Sequence, residues 1–158
     1  MTSADISHDV YRSRLQTVVE SLRYWIPSVA DAARVEELES PDYWRMTVSP
    51  HVTGACPFEL LLRSDRRFDI QIGGEIHEDL EMMLFEDFLP LAEAITQGRV
   101  VQRRWVSTAT GALREVETIV TFVSGNVWSQ SRIEKAVADK IPRQAAERRD
   151  RHFLPYRR

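Results

Sequence analysis

The chain has 158 residues, with 21 Lys+Arg against 24 Asp+Glu for a formal net charge of -3, and 43% hydrophobic residues, 6 Gly, 7 Pro and 1 Cys. One domain accommodates that length and buries roughly 70% of its unfolded surface, and the composition excludes a disordered or low-complexity chain. No apolar run approaches the ~20 residues of a bilayer-spanning helix, and a lone cysteine excludes an internal disulfide. The expected setting is therefore soluble, reducing and cytoplasmic.

The N-terminal residues MTSADISHDVYR hold acids and no basic region followed by an apolar stretch, so neither a secretory signal nor a mitochondrial presequence is expected. The first predicted element is a helix. Tyr11, Leu15, Val18, Val19, Leu22, Trp25 and Ile26 form a stripe at helical spacing, with Arg12, Arg14, Gln16, Glu20 and Arg23 opposite. Thr2, Ser3, Asp5 or Ser7 caps it, and Pro27 ends it. Residues 28–39 fit either a short helix capped by Ser28 or a strand from Arg34 to Glu39.

The period then changes from 3.6 to 2. Trp44, Met46 and Val48, then Phe58, Leu60 and Leu62, then Phe68, Ile70 and Ile72 alternate with more polar neighbours and predict strands with one buried face. Ser64-Asp65-Arg66 fits a tight hairpin, and Gly73-Gly74 ends the third strand. A second helix is predicted over 78–97, with Leu80, Leu84, Phe88, Leu91 and Ile95 as its main stripe and Met82, Met83, Phe85 and Leu89 widening it. Pro90 kinks or splits it, and Gly98 closes it. A hairpin follows, Arg99–Ser107 against Leu113–Val123. A last helix starts near Ser129, where Ser131 and Glu134 fit a capping box.

Runs of strands joined by short turns predict an α+β fold: an antiparallel sheet of about five or six strands, a meander and then a long hairpin, with helices mainly on one face. This order is similar to that of small two-layer α+β folds such as type III secretion chaperones, a likeness of element order alone. Residues 1–142 are expected to form the domain. Residues 143–158 are expected to form a basic tail, partly ordered or docked on a partner and removable without unfolding.

No catalytic constellation emerges. His77 and Glu81 share a face of the predicted helix, but two ligands do not make a metal site. Cys56 and His51 share a loop, yet nothing shows a depressed thiol pKa. If the chain is an enzyme or small-ligand binder with a pocket between sheet and helices, His51, Cys56, His77 and Trp105 are the first residues to test. Neither metal nor cofactor is expected. Arg99, Arg103, Arg104 and Arg114 surround Trp105 on the hairpin, but pairing of Arg104 with Glu115 and of Arg114 with Trp105 uses that charge internally, which disfavours a single-stranded nucleic-acid surface.

The surviving feature is charge asymmetry. Residues 132–158 hold nine bases and four acids, and residues 1–131 hold twelve bases and twenty acids, giving +5 and -8. The reading is a non-enzymatic protein-binding, adaptor- or chaperone-like module, homodimeric or bound to another protein, with no membrane contact. Its contact residues would be Met82, Met83 and Phe85 on the apolar helix face and Arg148, Arg149, Phe153 and Tyr156 at the basic end.

Overall fold

The computed structural model describes residues 7–157. Helix α1, His8–Trp25, follows its stripe: Tyr11, Val18, Val19, Leu22 and Trp25 are buried. Ser7 caps it by accepting the Val10 amide at 3.3 Å. The other expected caps, Thr2, Ser3 and Asp5, lie outside the described residues. Pro27 sits in a 3₁₀ turn over Ile26–Ser28.

Residues 28–39 resolve toward the strand. β1 (Ala33–Ser40), β2 (Tyr43–Pro50), β3 (Phe58–Arg63), β4 (Arg67–Ile72) and β5 (Glu75–Glu81) form one antiparallel meander in chain order. The alternating apolar residues of β2, β3 and β4 turn to one face and are buried there. That face meets α1 and a short helix α2, Phe88–Thr96, whose Phe88 ring stands edge-on to Phe68 at 5.3 Å.

The helix predicted over 78–97 is thus α-helical only over Phe88–Thr96, and its first four residues belong to β5. Gly73 and Gly74 both take positive φ, 55° and 87°, which suits the two central residues of a tight hairpin turn. The turn sends 75–81 back along β4, with Ile70 opposite His77 and Arg67 opposite Glu81. His77 and Glu81 therefore share no helix face. The helix begins only at Phe88, so Pro90 falls in its first turn, where a missing N–H breaks no bond and no kink is needed. Leu84, expected in the buried stripe, is 64% exposed in the connection.

A second antiparallel sheet contains β6 (Val100–Ser107), β7 (Leu113–Thr121), β8 (Val127–Ile133) and β9 (Ala146–His152), in the order β8-β7-β6-β9. The class α+β stands. The strands number nine among the described residues, though, and divide into two sheets rather than one. The last helix predicted from Ser129 is replaced by β8, leaving only a single turn α3, Lys135–Ala138. Within β8, Ser129 and Ser131 face Ile119 and Glu117 across the sheet, and the capping-box match is accidental.

The segment 143–158 also differs from its expectation. Residues 146–152 pair along β6 from Ser107 to Val101. The chain beyond crosses back over the first sheet: the Leu154 amide donates to Gly54 O at 3.0 Å and the Tyr156 amide to Thr96 O at 2.8 Å. Phe153 and Tyr156 are buried members of the main core. The crossing is tight at Gly98, with φ of 76°, where a Cβ would lie 2.8 Å from Pro155 N and 2.9 Å from Phe153 O.

The two sheets meet at the Gly73-Gly74 hairpin. Gln102, buried on β6, donates to Ile72 O at 2.9 Å, and Arg132 on β8 grips Glu75 at 2.9 Å. No helix among the described residues is long and apolar enough to cross a membrane.

Candidate protein-binding groove

A concavity lies between α1 and α2. On α1, Arg14, Thr17, Val18, Ser21, Tyr24 and Trp25 recur at intervals of three and four and so share one helix face. On α2 and the turn before it, Phe85, Glu86, Leu89, Pro90, Glu93 and Gln97 do the same. Two cavities, of about 790 Å³ and 570 Å³, share Ser21, Leu89 and Glu93 and form one groove. Pro155, Tyr156 and Arg157 close its wider end.

The groove is apolar in its floor and charged on its rim. Val18, Trp25 and Val29 are buried beneath it, and Leu89 lines both cavities. Phe85 packs against Tyr11 with ring centroids 5.7 Å apart, and the Tyr11 hydroxyl donates to Arg63 O at 2.8 Å. That burial pushes the Tyr11 phenol up to about 12. Tyr24 is 90% exposed at the mouth, an aromatic ring with no partner among the described residues. At the closed end Arg157 contacts the Asp31 carboxylate and donates to Ser28 O at 2.6 Å. The guanidinium holds Asp31 below the usual carboxylate range. Glu86 and Glu93, two helical turns apart on the α2 rim, have no ion-pair partner among the described residues.

The residues predicted from sequence fall in several places. Met82 and Met83 are half-buried in the connection before α2 and pack on the core, while Phe85 joins the groove. Arg148 and Arg149 are exposed on β9. Phe153 and Tyr156 lie in the core rather than on a surface, and the Tyr156 hydroxyl donates to the buried Cys56 carbonyl.

The four residues kept for an enzyme do not assemble. His51 is exposed in the loop after β2. The Cys56 thiol is fully buried, and burial pushes it up to about 12, the reverse of an activated nucleophile. His77 is buried with Nε2 unpartnered, and desolvation lowers its pKa against the opposing pull of the Glu75 charge, with Arg132 adding to the lowering. Trp105 lies under the Arg143 guanidinium at 3.9 Å. None of the four bonds to another among the described residues, and no group of three His, Cys, Asp or Glu side chains is placed to hold a metal ion.

The charge around Trp105 is only partly spent internally, and in a different register from the expected one: Arg99 and Arg104 have no ion-pair partner among the described residues. A bulge at Trp105 and Val106 sets Trp105 opposite Glu115 and Arg104 opposite Val116. Arg103 pairs with Glu117 at 3.6 Å, Arg114 pairs with Glu115, and Arg143 stacks where Arg114 was expected.

Tyr24, Leu89 and Glu93 escaped sequence reading as site residues. The available signal was Tyr24, an aromatic on the charged side of an otherwise clean amphipathic helix. No known family, no curated protein and no solved structure matches this chain.

Proposed function

We propose that this chain is a small, non-enzymatic, adaptor- or chaperone-like binding module of the reducing cytoplasm. It works as a homodimer and holds an amphipathic segment of another protein in the groove between α1 and α2. The observation that carries this reading is the groove itself: an apolar floor of Val18, Trp25 and Leu89, an exposed Tyr24 at its mouth, and unpaired Glu86 and Glu93 along one rim. Paired helix faces of this kind accept an apolar stripe at helical spacing, and the acidic rim favours a segment flanked by Lys or Arg. Buried Cys56 and His77 and covered Trp105 offer no reacting group to a bound molecule, and the pairing of Arg103 with Glu117 and of Arg114 with Glu115 disfavours a nucleic-acid surface.

Selection from a random peptide library tests the reading. Enriched peptides should carry apolar residues at helical spacing beside basic ones, and Leu89→Glu should weaken them by about tenfold or more. Failure to enrich any peptide, or enrichment indifferent to Leu89→Glu, refutes it.

A second reading follows from the larger cavity, whose ~790 Å³ lies within the range of small-molecule pockets. Native mass spectrometry of the purified protein separates the two. A small molecule carried through purification and lost in Leu89→Glu favours a ligand-binding protein.

A further inference from the structure

Strand β9 is one of the two outer strands of the second sheet, β8 being the other, and residues 147–152 are exposed on both of its faces. It therefore presents an unpaired row of backbone donors and acceptors, a template for another strand. Which amides point outward follows from the neighbouring bonds. Thr108 N–H donates to Ala145 O at 3.4 Å across the β6 side, and Ala146 N–H turns away to Arg143 O. Alternation along an antiparallel ladder then aims 147, 149 and 151 at β6 and leaves the backbone groups of Arg148, Asp150 and His152 facing outward.

We propose that β9 pairs antiparallel with β9 of a second copy about a two-fold axis at Arg149, joining the two four-stranded sheets into one. This rests on the homodimer reading above and gives it an interface.

Charge complementarity carries the choice of occupant. Full overlap of Ala146–His152 with itself centres on Arg149. It sets Glu147 opposite the partner's Arg151 and Arg148 opposite the partner's Asp150, each twice by symmetry. The outward-facing residues Arg148 and Asp150 form the hydrogen-bonded pairs, as an antiparallel ladder requires. In the single chain Arg148 pairs along the strand with Asp150 at 3.2 Å and Arg149 with Glu147 at 3.2 Å, while Arg151 lies over the Phe153 ring and donates to Gly73 O at 3.4 Å. The outer strand β1 of the first sheet does not self-pair in this way. Full overlap of β1, Ala33–Ser40, sets Glu36 against Glu37, and Arg23 already occupies Glu37 and Glu39.

One like-charge contact remains, Arg149 against the partner's Arg149, beside Arg104, which lies opposite Arg149 on β6. That contact makes the proposal testable in both directions.

Sedimentation velocity over a range of concentrations is the experiment. The wild-type chain should dimerise. Asp150→Arg turns both Arg148–Asp150 contacts repulsive and should weaken the dimer by about tenfold or more. Adding Arg148→Asp restores opposite charges in exchanged places and should restore the dimer. Arg149→Thr should tighten it. Asp150→Pro removes an outward N–H, so it should abolish the dimer while keeping the melting temperature, because an outer strand tolerates proline there. If that variant fails to fold, the charge exchange decides.

A dimer indifferent to the charge exchange overturns the proposal. So does a dimer that survives Asp150→Pro but dissolves with Leu89→Glu, which would move the interface to the groove and keep the homodimer. A chain monomeric at every concentration overturns this inference and the homodimer, while peptide capture by the groove remains separately measurable on the monomer.

Discussion

The C-terminal strap is the sharpest place to perturb the fold. Tyr156 is buried, its amide bonds to Thr96 O, and its hydroxyl bonds to the Cys56 carbonyl. Tyr156→Phe keeps the ring and leaves that buried carbonyl unpaired, a loss of about 1–3 kcal/mol. Tyr156→Ala also opens a cavity, and removing a buried aromatic side chain costs about 3–5 kcal/mol. Each kcal/mol lowers the melting temperature of a chain of 158 residues by about 2–4 °C. Tyr156→Phe should therefore melt about 2–12 °C lower and Tyr156→Ala about 6–20 °C lower. Deleting 153–158 removes Phe153 as well, a combined loss of about 6–10 kcal/mol, comparable with the whole stability of an ordinary domain. That deletion should give a chain unfolded or molten at room temperature, read by near-ultraviolet circular dichroism and thermal scanning. A deletion variant that melts with the wild type would refute the assignment of the strap to the core and make 153–158 a dispensable tail.

Three further outcomes are expected. Gly98→Ala should lose about 2–4 kcal/mol, because its Cβ would strike the Phe153–Pro155 backbone at positive φ. Gly111→Ala, at the same φ of 76° but with nothing within 4 Å, should lose only about 1 kcal/mol, and equal losses would contradict the close crossing. The buried Cys56 thiol and Tyr11 phenol are both pushed up to about 12, from 9.0 and 10.0. The unfolded chain ionises first, so their stabilising effect is full below pH 9 and is lost as pH rises toward 12. Urea midpoints should fall across that window, with a shallower fall in Cys56→Ala; identical slopes would discard the buried thiol as the cause. Leu84→Asp, at a side chain 64% exposed, should leave the melting temperature within about 2 °C of wild type, whereas a buried helical stripe would have made it disruptive.

Legibility in the sequence followed the range of the interaction. α1 was readable because its cap, stripe and terminating proline are all local. β2, β3 and β4 were readable because one face is buried and the alternation is clean. β5 was not, because Glu75, Glu78, Asp79 and Glu81 interrupt any alternation in this edge strand. The dense Leu, Met and Phe residues after it then extended a helical period backwards across the boundary. The Gly73-Gly74 pair was the missed signal, since two successive positive-φ residues favour a hairpin and hence a returning strand. β9 has no apolar side chain beyond Ala146, and only its pairing with β6 makes it a strand. The groove was legible in halves. Each helix face was written in its own spacing, but their juxtaposition depends on both helices packing on the same sheet.

The charge division of the sequence acquires a spatial meaning from these contacts. The basic end does not hang from an acidic body; besides the pairing of Ala146–His152 with β6, three ion pairs tie it there, Arg132 to Glu75, Arg143 to Glu115 and Arg157 to Asp31. An ion pair like the first two, with a partly exposed guanidinium, contributes no more than about 1 kcal/mol. The third is wholly in solvent on the Asp31 side and sets position rather than stability. Firm attachment comes instead from Phe153 and Tyr156, whose burial outweighs any of these pairs. Charge thus selects where the strap lies, and apolar burial holds it there. The charges left over are sorted by the same fold. Glu86 and Glu93 remain on the groove rim, and Arg104 on β6 has no ion-pair partner among the described residues, beside a free edge whose Arg148 and Arg149 pair only within β9. A basic amphipathic segment and a self-complementary strand would therefore bind at different places on the molecule, and occupation of the groove by one leaves the edge open to the other.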